Sequence, residues 1–416
     1  MPLPLIFIGA ALASAVQAPL SLDQAVAEAM AHATTVAAAD AQADAAAARV
    51  VQARAAGLPT VTLSGSVGYG RLDPGGFFGL TASDVKPRDA EVTTELPLFA
   101  GGRIGAAAEG ARAGRRAAEA ARISARANLA VAVAEAYSAV LVAEEQRRLY
   151  ERLAATTAEL LRHAEDRFKV GDAPHTDVSQ ARARAAQARA EEAAAEGAIE
   201  AARARLANLI GRPPGGLEPL PRATESTPAL DEAIANAEAN SPAIAEATAM
   251  LDEARAAARG ARAERLPTVG AFAQGSTIRD QFFPGYRGDS AVIGVRARWQ
   301  LFDGGRVHGQ ITEADANVRA AAARLEAARD QVREALISAQ AAVRSSALVE
   351  QAAQDESAAA DEAVRNVRDE VKVGQKPQLD LMNADRDAVA AHLLALRARA
   401  DRINATYRLE ALFGRY

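Results

Sequence analysis

The chain has 416 residues and a formal net charge of −5; half of it is hydrophobic, only 4% is aromatic, and it contains no cysteine. Acids and bases are interspersed, so no basic face points to nucleic acid, while thiolate catalysis, cysteine metal centres and an N-terminal lipid-bearing cysteine are excluded. Much of the apolar fraction is alanine, as in 45–56, which favours helix and lets helices approach closely instead of filling a bulky core.

The first eighteen residues carry no charged side chain. An apolar run from Leu3 to Leu12 precedes Ala13-Ser14-Ala15, a small-x-small cleavage pattern, so 1–18 reads as a secretory signal peptide cut after residue 15, without the usual basic start. A helix follows from Ser21. A strand over about 58–71 alternates Thr60, Thr62, Ser64 and Ser66 against Val61, Leu63, Val67 and Tyr69. A loop with Gly76-Phe77-Phe78, suited to an exterior tip, separates it from a second strand over about 89–99. There Val92, Leu96 and Leu98 alternate with Glu91, Thr93 and Glu95. Gly101 and Gly102 then offer backbone angles closed to other residues, as needed where strand turns into helix. Neither Gly nor Pro interrupts Arg115 to Val170, roughly 85 Å of helix. In the turn 169–177, Gly171 ends this helix and Pro174 opens the next, which runs to Ile210. The stretch 213–228 holds Pro213, Pro214, Pro219, Pro221 and Pro228 and reads as an irregular crossover.

The remainder repeats this plan, so that 19–212 and 229–416 form two copies. Leu22-Asp23-Gln24-Ala25-Val26 returns as Leu230-Asp231-Glu232-Ala233-Ile234, and Leu58-Pro59-Thr60-Val61 as Leu266-Pro267-Thr268-Val269. Leu98-Phe99-Ala100-Gly101-Gly102-Arg103 returns as Leu301-Phe302-Asp303-Gly304-Gly305-Arg306, and Leu209-Ile210-Gly211-Arg212 as Leu412-Phe413-Gly414-Arg415. The second copy thus has strands over about 266–278 and 290–302, a bend at Gly304 and Gly305, and a tip turn at 372–380. Its first strand alternates poorly and rests on the repeat. The second alternates Ile293, Val295, Ala297, Trp299 and Leu301 with Gly294, Arg296, Arg298 and Gln300. Its long helix, Gln310 to Val373, again lacks Gly and Pro over roughly 95 Å.

Beyond residue 18, no segment is read as approaching the ~20 apolar residues of a membrane-spanning helix. Each strand, however, has about the 9–11 residues of a tilted membrane crossing, and Tyr69, Phe99, Trp299 and Phe302 suit interfacial belts. Four strands cannot close a barrel, which needs about eight, so protomers must join: two would give eight strands and three twelve. Polar strand faces with Glu95 and Arg298 suit a wet interior. The long helices need neighbours along their length, hence coiled-coil packing with 174–210 and 377–413. The fold class is therefore an α+β membrane protein, a duplicated repeat of long coiled-coil helices plus a β-hairpin. Asp177 and Asp380 lie where a carboxylate stabilises a helix start. His32, His163, His175, His308 and His392 are scattered, and no phosphate loop or nucleophile elbow occurs, so no enzyme, metal or cofactor is expected. The alternative reading is a periplasmic or surface coiled-coil structural protein without a pore.

The duplicated plan, the Leu-Pro strand starts, the Leu-Phe-x-Gly-Gly-Arg bends and the Lys-Val-Gly-x-x-Pro-x-x-Asp turns resemble the TolC-type outer-membrane efflux family, over Ser21 to Arg415. The resemblance implies a homotrimer in the bacterial outer membrane, with a twelve-stranded barrel continuous with a periplasmic helical tunnel. It implies a periplasmic adaptor (membrane fusion protein) and an inner-membrane pump as partners, in tripartite efflux or type I secretion, without naming the cargo. It further implies adaptor docking at Val170, Gly171, Val373 and Gly374. An acidic entrance ring would fall at Asp380, with Asn383 where relatives place a second acid, and with Asp177 in the first copy. The latch between neighbouring coils would fall at Lys376, Val371 and Thr176, where other side chains tie relatives shut, so the latch is altered.

Overall fold

The computed structural model describes residues 19–73, 75–76, 79, 81–221 and 229–416. The expected signal peptide, Phe77-Phe78 and residues 222–228 of the crossover lie outside the described residues. In chain order the elements are α1 (Leu22–His32), α2 (Thr34–Ala55), β1 (Thr60–Val67), β2 (Gly70–Leu72), β3 (Ser83–Val85), β4 (Arg88–Phe99), α3 (Arg103–Lys169) and α4 (His175–Ile210). There follow α5 (Leu230–Asn240), α6 (Pro242–Ala263), β5 (Thr268–Arg279), β6 (Arg287–Arg298), α7 (Arg306–Lys372) and α8 (Gln378–Leu412).

Several local features have direct causes. Ser21 and Gln24 form a reciprocal capping box that starts α1. The break between α5 and α6 falls at Ser241, with φ −65° and ψ 123°, because a residue before proline is pushed out of helical geometry. Ala33 adopts the same geometry between α1 and α2. Both long helices have 67 residues, about 100 Å each. α3 begins twelve residues before the uninterrupted stretch seen in the sequence, and α7 four before its own. Gly105, Gly110 and Gly114 continue α3, and Gly110 lies against α6, where an added Cβ would meet that of Ala256 at 3.5 Å. A glycine costs about 1 kcal/mol relative to alanine inside a helix, which close packing offsets.

The expectation that no segment beyond residue 18 approaches a membrane-spanning helix fails at α3. One stretch of α3 is long and apolar enough to pass as a membrane span by length and composition alone. Just over half of it, 56%, is buried against the rest of this chain. Leu129, Val133, Tyr137 and Val140 of α3 pack with Ala25 and Ala29 of α1, Leu206 and Ile210 of α4, and Ile403 of α8. Alanine raises hydropathy while being small enough for tight helical packing, so the same residues that mimic a span build a helical core.

The chain forms two compact units. The sheet unit comprises Ala39–Arg122 and Pro242–Gln331; the helical unit comprises the described residues of 1–38, 123–241 and 332–416. In the sheet unit, four antiparallel strands run in the order β1-β4-β5-β6, and β2 and β3 form a separate two-stranded ribbon. In the helical unit, α4 buries Val178, Ala181, Ala185, Ala188 and Ala195, a three-four spacing that defines a coiled-coil seam. Leu20 pairs with Leu217 of the crossover, and the Tyr137 hydroxyl lies 2.7 Å from both the Leu20 and Glu218 carbonyl oxygens. Burial pushes this phenol up to about 12, so it stays a donor.

Candidate functional site: open strand edges and helical tip

Residues directly opposite in an antiparallel ladder share a face, so the register sorts the sheet. Val61, Leu63, Val92, Ala273, Ile293 and Val295 fall on one side. Thr62, Ser64, Glu91, Glu95, Arg296 and Arg298 fall on the other. The apolar side is uncovered: Leu63 is 75% and Ile293 85% exposed. On the polar side the Arg296 guanidinium stands 4.8 Å from the centre of the Phe272 ring and 3.8 Å from Glu95. Phe272 fits there because Gly294 opposite it has no side chain; a Cβ at Gly294 would meet the ring at 3.0 Å. An open groove of 750 Å³ beside this patch is lined by Thr60, Glu95, Arg103, Arg296 and Arg298 among others. The outer edges of β1 and β6 have no ladder partner among the described residues. Tyr69, Phe99, Trp299 and Phe302 are all exposed; β6 ends at Arg298, so Trp299 lies just beyond it and donates from its indole N–H to the Arg265 carbonyl at 3.1 Å.

At the strand-to-helix bends all four glycines take positive φ: 62° and 88° at Gly101 and Gly102, 67° and 92° at Gly304 and Gly305. The two bends differ in detail. Asp303 receives the Gly305 and Val307 backbone N–H groups, each at 2.9 Å, and these bonds hold its carboxyl below the usual range. The corresponding Ala100 has no such side chain. Gly101 instead is hemmed in, since a Cβ there would come within 2.7 Å of the Ala263 carbonyl oxygen.

In the helical unit, α3 and α7 end alike. Gly171 and Gly374 take φ 78° and 76°, and their N–H groups donate to Phe168 and Val371. The next N–H groups, of Asp172 and Gln375, donate to Arg167 and Glu370 at 2.9 Å, completing Schellman turns. Val170 and Val373 project outward, 79% and 70% exposed. Asp177, Val371, Lys376 and Gly374 line one groove of 770 Å³ with Leu160 and Met382. Val170, Gly171 and the exposed Thr176 lie outside its lining. Lys376 pairs with Glu370 of α7 at 2.8 Å. That hydrogen bond and charge, with a smaller influence from Asp380, hold its ammonium above the usual range. Val371 packs beside Leu381 and Met382. Asn383 accepts from the Arg184 guanidinium at 3.2 Å, tying α8 to α4. One group escapes sequence reasoning: Asp385, whose side chain is 14% exposed, sits 3.5 Å from Arg368, and burial pushes its carboxyl up. Only its position soon after Asp380 hints at it.

Among the described residues no cluster of potential ligands could hold a metal. The model of the family described as outer membrane efflux protein matches residues 25–212 and 233–415. The chain is 28% identical over 282 residues to the outer membrane efflux protein BepC of Brucella suis biovar 1, a match covering 67% of this chain and 62% of that protein. Its fold is similar to the CmeC outer membrane channel of Campylobacter jejuni, with a TM-score of 0.85 and 16% identity over 94% of this chain and 85% of that one. It is also similar to the open-state MtrE outer membrane channel of Neisseria gonorrhoeae, with a TM-score of 0.77 and 25% identity over 94% and 88%.

Proposed function

The chain belongs to the outer membrane efflux protein family, and from that premise we propose that it is the outer-membrane channel of a tripartite efflux or type I secretion system. Its location is the outer membrane, with a periplasmic helical portion. The observation that carries the channel reading is the four-stranded sheet with one apolar face, one polar face and two unpaired edges. Unpaired edges in lipid leave backbone groups unsatisfied at several kcal/mol each, so the sheet must close with other copies. Three copies give twelve strands, with Val61, Leu63, Ile293 and Val295 toward lipid and Glu95, Arg296 and Arg298 toward a wet lumen. The 1–18 leader, the two-copy plan of 19–212 and 229–416 and the crossover at 213–228 belong to the same reading.

Substrate reaches this channel from an inner-membrane pump through a periplasmic adaptor, which docks on Val170-Gly171 and Val373-Gly374. Their protrusion and fixed left-handed turns suit a docking knob. Asp380 supplies the entrance ring, with a lesser contribution from Asp177. Asn383 leaves the entrance with one acid fewer than a two-ring relative, and Lys376, paired with Glu370, stands at the altered latch. Mass measurement of the detergent-solubilised protein tests the assembly. Three chains per particle are expected, and a stable monomer with intact β-structure would refute it.

A further inference from the structure

Within the sheet unit, α3 and α6 run side by side, brought close at Gly110 against Ala256 and at Gly260 against Ala106. Flanking that seam is a pocket of 260 Å³ formed by six side chains, all charged: Glu109, Arg112 and Arg116 from α3, and Asp252, Arg255 and Arg259 from α6. Both triplets have the same spacing, acid, then arginine three and seven residues on, which sets each triplet along one helix face. The acid of each helix is taken by the last arginine of the other. Arg116 pairs with Asp252 at 2.9 Å, and Arg259 pairs with Glu109. Arg255 has a longer contact of 3.5 Å to the already engaged Asp252, and Arg112 forms no ion pair among the described residues.

Four guanidiniums therefore share two carboxylates, leaving two positive charges and the two middle forks, Arg112 and Arg255, without an anion of their own. A solvated helix face does not require this. Elsewhere two arginines share a single acid, as Arg205 and Arg408 do at Glu135 and Arg148 and Arg152 at Glu145; here four converge on one cavity whose lining holds two carboxylates. Planar forks with unused N–H donors match the oxygens of a phosphoryl group in charge and geometry. The position fits as well. Arg112 lies about 15 Å along α3 from the bend that ends β4, and Arg259 lies just before the bend that begins β5. With the strands in the outer membrane, that is the depth of the periplasmic headgroup layer.

We propose that this pocket binds a phosphoryl group, carried by an anionic lipid headgroup of the inner leaflet or by a soluble phosphate. The Arg116–Asp252 and Arg259–Glu109 pairs fix the walls, and Arg112 and Arg255 hold the anion. Binding is expected to weaken with ionic strength, because the groups are partly exposed.

The test uses the full-length protein in detergent. Inorganic phosphate is titrated by calorimetry, and retained phosphatidylglycerol and phosphatidylcholine are counted by native mass spectrometry. The doubly substituted Arg112→Gln/Arg255→Gln protein keeps both inter-helix pairs and should lose affinity about tenfold or more. Arg115→Gln removes a guanidinium that pairs only with Glu119 on its own helix and should bind as the parent does. Phosphate binding without lipid preference, lost in the double variant, identifies a soluble ligand. Phosphatidylglycerol retained over phosphatidylcholine, and lost likewise, identifies the headgroup. If the parent binds neither probe, or the double variant binds as the parent does, the site does not exist.

Discussion

Substituting alanine for Gly101 and, separately, for Gly304 separates two costs that the sequence makes look identical. Both glycines open a strand-to-helix bend with φ near +65°, a conformation that costs an L-residue about 1–2 kcal/mol. At Gly304 nothing lies within 4 Å of an added Cβ, so that cost is the whole effect. At Gly101 the Cβ would come within 2.7 Å of the Ala263 carbonyl oxygen and 2.8 Å of the Leu266 Cβ. Neither atom is the end of a flexible side chain, so the α6–β5 connection must move, adding about 1–3 kcal/mol of overpacking strain. Gly101→Ala should thus cost about 2–5 kcal/mol against about 1–2 for Gly304→Ala. Guanidinium unfolding in detergent, followed by the single tryptophan, provides the assay. Trp299 bonds to the Arg265 carbonyl next to Leu266, so its native emission should shift in Gly101→Ala and hold in Gly304→Ala. Equal midpoints and unshifted emission in both variants would refute the steric argument.

Gly374→Val should strain the tip turn by about 1–2 kcal/mol, since only its φ of 76° is violated and the space is open; export should fall while barrel assembly persists, and unimpaired export would remove Gly374 from the docking surface. Asp380→Asn should relieve block by multivalent cations added from the periplasmic side in planar bilayers, because converging carboxylates attract them; the assembly should survive, a helix-start aspartate contributing below about 1 kcal/mol. Asp385→Asn should stabilise the tip at neutral pH. Burial raises the folded pKa above 3.8, so the folded state binds a proton more tightly than the unfolded one, and the native aspartate loses stability as pH rises through its folded pKa. The gain should vanish only below the unfolded-state value of 3.8, where both states are protonated, and a pH-independent difference in melting would contradict the burial argument.

The need for glycine at the bends and tips is readable because only glycine adopts those angles cheaply, and the alternation of β6 is readable because apolar Ile293 and Val295 and charged Arg296 and Arg298 fall on opposite faces. The alternation of β5 is masked by small residues, Ala271 and Ala273 on the apolar side, and by Phe272, which crosses to the polar side to fill the space over Gly294. The ribbon of Gly70–Leu72 and Ser83–Val85 carries too few residues to show a period. The first turns of α3 stay hidden because glycine normally counts against helix, whereas here Gly110 meets an alanine of α6. At the tip, the sequence marks Asp380 and Asn383 but not their surroundings. The Arg184 bond to Asn383 and the burial of Asp385 join residues far apart along the chain, and no spacing rule links them.

The strand order also sets a timetable for building the sheet. β5 and β6 are joined through 280–286 and can zip locally, but the central seam pairs Arg88–Phe99 with Thr268–Arg279, across α3, α4, α5 and α6. For a flexible chain, closing the longer loop costs about 3 kcal/mol more than closing the shorter, and such distant pairings form late. Until the second half arrives, β4 offers an unsatisfied edge and an apolar face to any neighbour. The first half of the chain therefore waits, sticky and incomplete, for a strand made more than a hundred and fifty residues later, and whatever shields it during that interval governs how much protein reaches its membrane.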